Sequence, residues 1–129
     1  MRVHLHDAGA GRAWFGAGAV MGLCAVAFAA VSAHLPERML HAGGREALRA
    51  AVQMLGWHAA ALLACGLWLR QGGRIAVHLA GACFVAGAVC FTVGVAVPVL
   101  GGPHLGILAP TGGSLLMLGW ASLAVSALL

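Results

Sequence analysis

The chain reads as an all-α protein, an integral membrane four-helix bundle with a short interfacial helix between helices 1 and 2, and two observations predict this. Of 129 residues, 62% are hydrophobic and only 8% charged, against about a quarter charged in soluble chains, and a globule this small could not keep so much apolar side chain from water. The apolar residues also fall in four runs, 13–35, 50–69, 75–97 and 111–129, and all ten charged residues lie outside them. Each run is close to the ~20 residues that a ~30 Å hydrocarbon layer asks of a helix. Lipid offers no partner to backbone groups and the runs lack the alternation of barrel strands, so each is read as helical. The whole chain, 1–129, is then a single membrane domain.

The first run follows Arg12, and its Val31-Ser32-Ala33 resembles a cleavage site. It is longer than the apolar core of a signal peptide, so it is read as a retained helix. Leu23 before Cys24 is too large for a lipoprotein signal. The connection PERMLHAGGREALR, residues 36–49, reads as a short interfacial helix opened by Pro36, a hinge at Gly43-Gly44 and a run-in to helix 2. Arg70-Gln-Gly-Gly-Arg74 is a tight turn that makes helices 2 and 3 an antiparallel hairpin. The last connection, from Pro98 to Pro110, carries no charge and suits a partly immersed loop.

Seven arginines and no lysine give a net charge of +4. They are scattered in ones and twos, a pattern that excludes a nucleic-acid surface and suits loops lying on anionic lipid. Arg2, Arg12, Arg70 and Arg74 lie on the side of the N-terminus, and Arg38, Arg45 and Arg49 lie opposite. The excess predicts both termini in the cytoplasm and a multi-pass protein of the bacterial plasma (inner) membrane. Trp14, Trp57 and Trp68 stand near run ends and read as interfacial, whereas Trp120 stands deeper.

Twenty glycines would weaken soluble helices, but within lipid small residues let helix backbones approach. Gly18 with Gly22, Gly87 with Gly94, and Gly112, Gly113 and Gly119 are the expected packing positions. Ala80 continues the stripe on helix 3, and Ser122 and Ser126 continue it on helix 4. The bilayer is the expected partner, together with further copies of the chain or a larger membrane complex, because so small a protein has few surfaces to turn on itself.

No carboxylate, lysine or arginine enters a run, which argues against a carboxylate proton relay or a charge-lined pore. Histidine is what remains. His34 reaches the non-cytoplasmic interface, His58 lies about 13 Å inward from that side, and His104 lies in the uncharged loop. With Gln53, Thr111 and Trp120 they form the candidate ligand-binding set, and the His34 and His58 rings are expected within about 10 Å of each other.

The residues leave several readings open: axial ligation of haem or a transition metal by His34 and His58, hydrogen bonds that only hold the bundle together, or a pocket for a quinone or lipid headgroup. His78 suits an interfacial snorkelling role, and His4 and His6 a solvated tail. Cys24, Cys65, Cys83 and Cys90 form no CxxC and read as packing residues. No catalytic motif and no metal site is found. The leading reading is a non-enzymatic structural, accessory or assembly subunit with no cofactor, the alternative is a binder of haem, quinone or another hydrophobic ligand, and a small-solute transporter comes third.

Taken together, several short motifs resemble those of small bacterial inner-membrane proteins of the YgdD type, which are related to eukaryotic transmembrane protein 256 and form a domain-of-unknown-function family. Ala29-Ala30-Val31-Ser32-Ala33-His34-Leu35 closes helix 1. Ala51-Val52-Gln53 approaches His58-Ala59-Ala60-Ala61-Leu62-Leu63, and Pro110, Gly112, Gly113, Gly119 and Trp120 mark the last helix. The resemblance covers about residues 14–128 and implies four membrane helices without implying a reaction. The chain departs from the pattern at Met54 and Leu55, where a polar or aromatic pair is common, and at Val31 and Ser32, where glycine is usual.

Overall fold

In the computed structural model, residues 2–72 and 75–128 are described, with side chains from residue 9 onward. Four helices follow one another: α1 (Arg2–His34), α2 (Gly44–Arg70), α3 (Ile75–Val99) and α4 (Leu108–Leu128). All four are long and apolar enough to cross a membrane, and no strand occurs among the described residues.

The helices overrun the apolar runs. α1 continues back through the polar stretch to Arg2, so His4 and His6 belong to its first turns. α2 starts at Gly44, six residues before the run does, and α4 starts at Leu108. The reason is physical: hydropathy marks where charge begins, but backbone hydrogen bonding continues past that point because Arg and Glu can keep their heads in water from a helical position. Between α1 and α2 the expected short helix is a single 3₁₀ turn, Glu37–Met39. Arg74, in the predicted turn between α2 and α3, lies outside the described residues; the visible part of that turn includes Gly72 at φ 92°, and Gly101 at φ 87° follows α3. Both φ values lie in the left-handed region that glycine enters without a steric penalty.

α2 and α3 form the central pair, with α1 packed along α2 and α4 packed along α3. The described residues give α1 and α4 no shared face comparable to these, so the molecule is two hairpins joined through their inner helices. Glycine governs both outer seams. A Cβ on Gly66 would stand 2.6 Å from the Gly11 carbonyl oxygen, and one on Gly11 would stand 2.8 Å from that of Gly66. Gly87 and Gly112 make the equivalent pair between α3 and α4, at 2.9 and 2.7 Å. Gly18 is tight against α2, Gly94 against α4 and Gly119 against the Phe84 ring. Two expected packing glycines are corrected: Gly22 has only ordinary contact at 3.8 Å, and Gly113 faces open space. Ser122 and Ser126 are buried, and the Ser122 hydroxyl donates to the Leu118 carbonyl.

The carbonyl end of α1 is closed by a residue from α2. Arg45 donates from Nη1 to the Ser32 carbonyl at 3.0 Å and from Nη2 to the Leu35 carbonyl at 2.7 Å, while its Nε pairs with Glu37. Last-turn carbonyls have no partner within their own helix and carry partial negative charge, so a guanidinium is a fitting cap. The outward surface is apolar: Val20, Leu23 and Val26 of α1 are 62–70% exposed.

Gly112→Val is expected to cost about 1–3 kcal/mol through overpacking. Its neighbour change, Gly113→Ala, is expected to be neutral or to stabilise by up to about 1 kcal/mol. Thermal unfolding in detergent, followed by circular dichroism, separates them, and equal melting points would contradict the seam. Arg45→Ala is expected to cost about 1–3 kcal/mol through its charged hydrogen bonds. Glu37→Gln, at a site 74% exposed, is expected to cost less than about 1 kcal/mol.

Candidate functional site

Position 58 is the only histidine among the buried polar residues of the described chain, 4% exposed. Because α2 begins at Gly44, His58 lies fourteen residues, about 21 Å, from the start of its helix, deeper than the apolar run implied. Both ring nitrogens are engaged. Nδ1 lies 2.6 Å from the Met54 carbonyl one turn back, and Nε2 lies 3.1 Å from Nε1 of Trp120 on α4. A carbonyl can only accept and an indole N–H can only donate. The ring is therefore the neutral tautomer with its proton on Nδ1. Phe84 of α3 completes the cluster, its ring centroid 5.3 Å from that of His58 and 5.1 Å from that of Trp120. Gly119 makes room for it, since a Cβ there would strike the Phe84 ring. Three helices thus meet on one imidazole.

Above this cluster lies a groove of about 660 Å³. α2 forms one wall with Gln53, Met54 and Trp57, α4 the other with Pro110, Gly113, Ser114 and Met117, and Phe91 contributes from α3. His58 and Trp120 also line it, and their hydrogen bond spans its width from wall to wall. The polar capacity is small. The Ser114 hydroxyl is spent on the Pro110 carbonyl, which leaves the Gln53 amide with no side-chain hydrogen bond among the described residues. The groove accordingly suits an apolar molecule.

Of the six candidate residues, the structure brings Gln53, His58 and Trp120 together and leaves three apart. Arg45 reaches the carbonyls on either side of His34, so His34 lies at the level of residue 45, thirteen residues or about 20 Å from His58. The expected 10 Å approach of these rings is thereby corrected, and with it paired axial ligation. The cause is the longer α2, which carries His58 toward mid-span while His34 stays at the end of α1, exposed. His104 is exposed in the loop before α4, and Thr111 is exposed in the first turn of α4. His58 by itself has no free nitrogen for a metal while its two hydrogen bonds stand.

A second Trp–His pair was not anticipated. Trp14 Nε1 donates to His78 Nδ1 at 3.2 Å, joining α1 to α3, and the indole lies flat over Gly81, where a Cβ would come within 2.8 Å of the ring. Trp14 and His78, both read as interfacial, are also tied to each other. The polar partner of each imidazole depends on helix rotation, which spacing alone does not set.

Trp120→Phe removes the donor to His58 and is expected to cost about 1–3 kcal/mol by leaving a buried acceptor unpaired. Adding His58→Leu to that variant is expected to cost less than the sum of the two single changes, with a coupling of about 1 kcal/mol. A double-mutant cycle by denaturation in mixed micelles measures it, and strict additivity would mean that the bond contributes nothing.

Among curated proteins and among solved structures, none matches this chain. A protein-family profile does, over residues 28–113, two thirds of the chain, which takes in the end of α1, all of α2 and α3 and the Pro110–Gly113 opening of α4. The chain belongs to the family described as "Protein of unknown function (DUF423)".

Proposed function

We propose that the chain is a non-enzymatic, four-span protein of the bacterial inner membrane that works as an accessory subunit by holding an apolar molecule in the groove between α2 and α4. The observation that carries this reading is the groove itself: concave, walled by Met54, Trp57, Phe91 and Met117, with the hydrogen-bonded His58 and Trp120 in its lining. Pockets for small molecules are concave, mostly apolar and carry few polar groups, and the single unspent amide of Gln53 fits that pattern.

The arginine excess on the side of the N-terminus supports both termini in the cytoplasm, which places the groove in the outer half of the membrane. The resemblance to the YgdD and transmembrane protein 256 proteins supports the same location. The committed nitrogens of His58 favour an apolar guest over haem. Quinone remains within this class because the groove can take an isoprenoid tail as readily as an acyl chain.

Gly113 offers the test, because it lines the groove and a side chain there would meet open space. Gly113→Phe is expected to fill the groove without disturbing the seam, while Gly56→Phe, on an open position of α2 outside the lining, serves as the control. After extensive detergent washing, solvent extraction and mass spectrometry should recover about one equivalent of an apolar molecule from the native chain and from the Gly56 variant, and several-fold less from the Gly113 variant. Equal recovery from all three would overturn the reading.

A further inference from the structure

Resting on the groove reading, we propose that the occupant is an anionic lipid whose headgroup is held by Arg49 and whose chain lies along the groove toward His58. We take as the mouth of the groove a smaller, more polar cleft that shares one lining residue with it. Gln53 lines the apolar groove and also a smaller cleft of about 330 Å³ between α1 and α2, whose polar lining is Ser32, Arg45, Arg49 and Gln53 with no carboxylate.

The two arginines there differ in what they are free to do. Arg45 is spent on the Ser32 and Leu35 carbonyls and on Glu37. Arg49, exposed and one turn from Gln53, makes no side-chain hydrogen bond or ion pair among the described residues. Arg49 and Gln53 also line a neighbouring depression with the exposed Glu37 and Glu46, but neither carboxylate lines this cleft. A guanidinium with uncommitted donors at the edge of a carboxylate-free cleft is a phosphate site in waiting.

Length supports the same occupant. From Arg49 to His58 is nine residues, about 14 Å of helix, close to half of a ~30 Å hydrocarbon layer. Pro110 to Trp120 on the opposite wall spans about 15 Å. A guest with its charge at Arg49 and its chain ending at the His58–Trp120 bond therefore occupies one leaflet. Trp57, 72% exposed on the groove edge, gives the chain a flat apolar flank. A free anion would use the mouth and leave the groove empty, whereas a lipid uses both.

Native mass spectrometry of the full chain released from micelles tests this with phosphatidylglycerol and phosphatidylcholine of identical acyl chains. The native chain is expected to retain one phosphatidylglycerol with about fivefold preference over phosphatidylcholine, the scale of one arginine near an anionic headgroup. Arg49→Gln should reduce that preference to about one, and Gly113→Phe should lower retention of both. No preference in the native chain, or one that survives in Arg49→Gln, overturns the headgroup assignment; the groove reading then stands as long as Gly113→Phe still expels lipid. Retention of both lipids unaffected by Gly113→Phe overturns the groove reading and this inference together.

Discussion

Each hairpin lends the other one tryptophan and one histidine, and the register of the molecule depends on that exchange. Trp14 of α1 reaches His78 of α3, and Trp120 of α4 reaches His58 of α2. An indole N–H or an imidazole facing hydrocarbon without a partner costs several kcal/mol. Apolar side chains gain little by leaving lipid for a neighbouring helix, so Leu and Val contacts cannot by themselves choose between one rotation of the hairpins and another. Two directional bonds at different depths can. Each forms only when donor and acceptor helices stand at one rotation and one offset.

The seams inside the hairpins work by a different rule. Gly11 against Gly66 and Gly87 against Gly112 bring backbones to a separation that any side chain would forbid, and dispersion between closely packed backbones replaces the missing hydrophobic driving force. The two devices divide the labour: glycine holds α1 on α2 and α3 on α4, while tryptophan and histidine hold the pairs together. Between α2 and α4 neither device brings the backbones close. The Trp120 side chain has to bridge that gap to reach His58, and the groove is the space left on one side of the bridge.

Four apolar runs gave the four helices because hydropathy is a sum over many residues and survives local error. Their ends were less legible, since a helix does not stop where charge starts, and Gly44 opens α2 well ahead of the run at residue 50. That shift alone moved His58 away from His34. Depth did group His58 with Trp120 correctly, because both positions are counted along helices of known rise, and Gln53 followed from its place one turn earlier. Rotation was not legible. Gly113 sits beside Gly112 in sequence, yet one faces the groove and the other an α3 backbone, and nothing in the order of the residues separates two neighbours in a Pro-x-Gly-Gly motif. Arg45 and Arg49 likewise look equivalent as letters. Only the three-dimensional placement of the α1 carbonyls shows that one is committed and the other is free.

The chemistry of the site follows from that commitment. An imidazole that donates through Nδ1 and accepts through Nε2 has no lone pair for a metal without breaking the bond that ties α2 to α4, and no proton to give without breaking its bond to the Met54 carbonyl on its own helix. His58 therefore acts as a wall, setting how far a guest can enter. Among the described residues, Gln53 and Arg49 keep side-chain donors that no other residue takes up. A groove whose lining is apolar but for Gln53 and the hydrogen-bonded His58, Trp120 and Ser114 offers a guest little besides shape and apolar contact, so in the proposed reading the headgroup is recognised outside it.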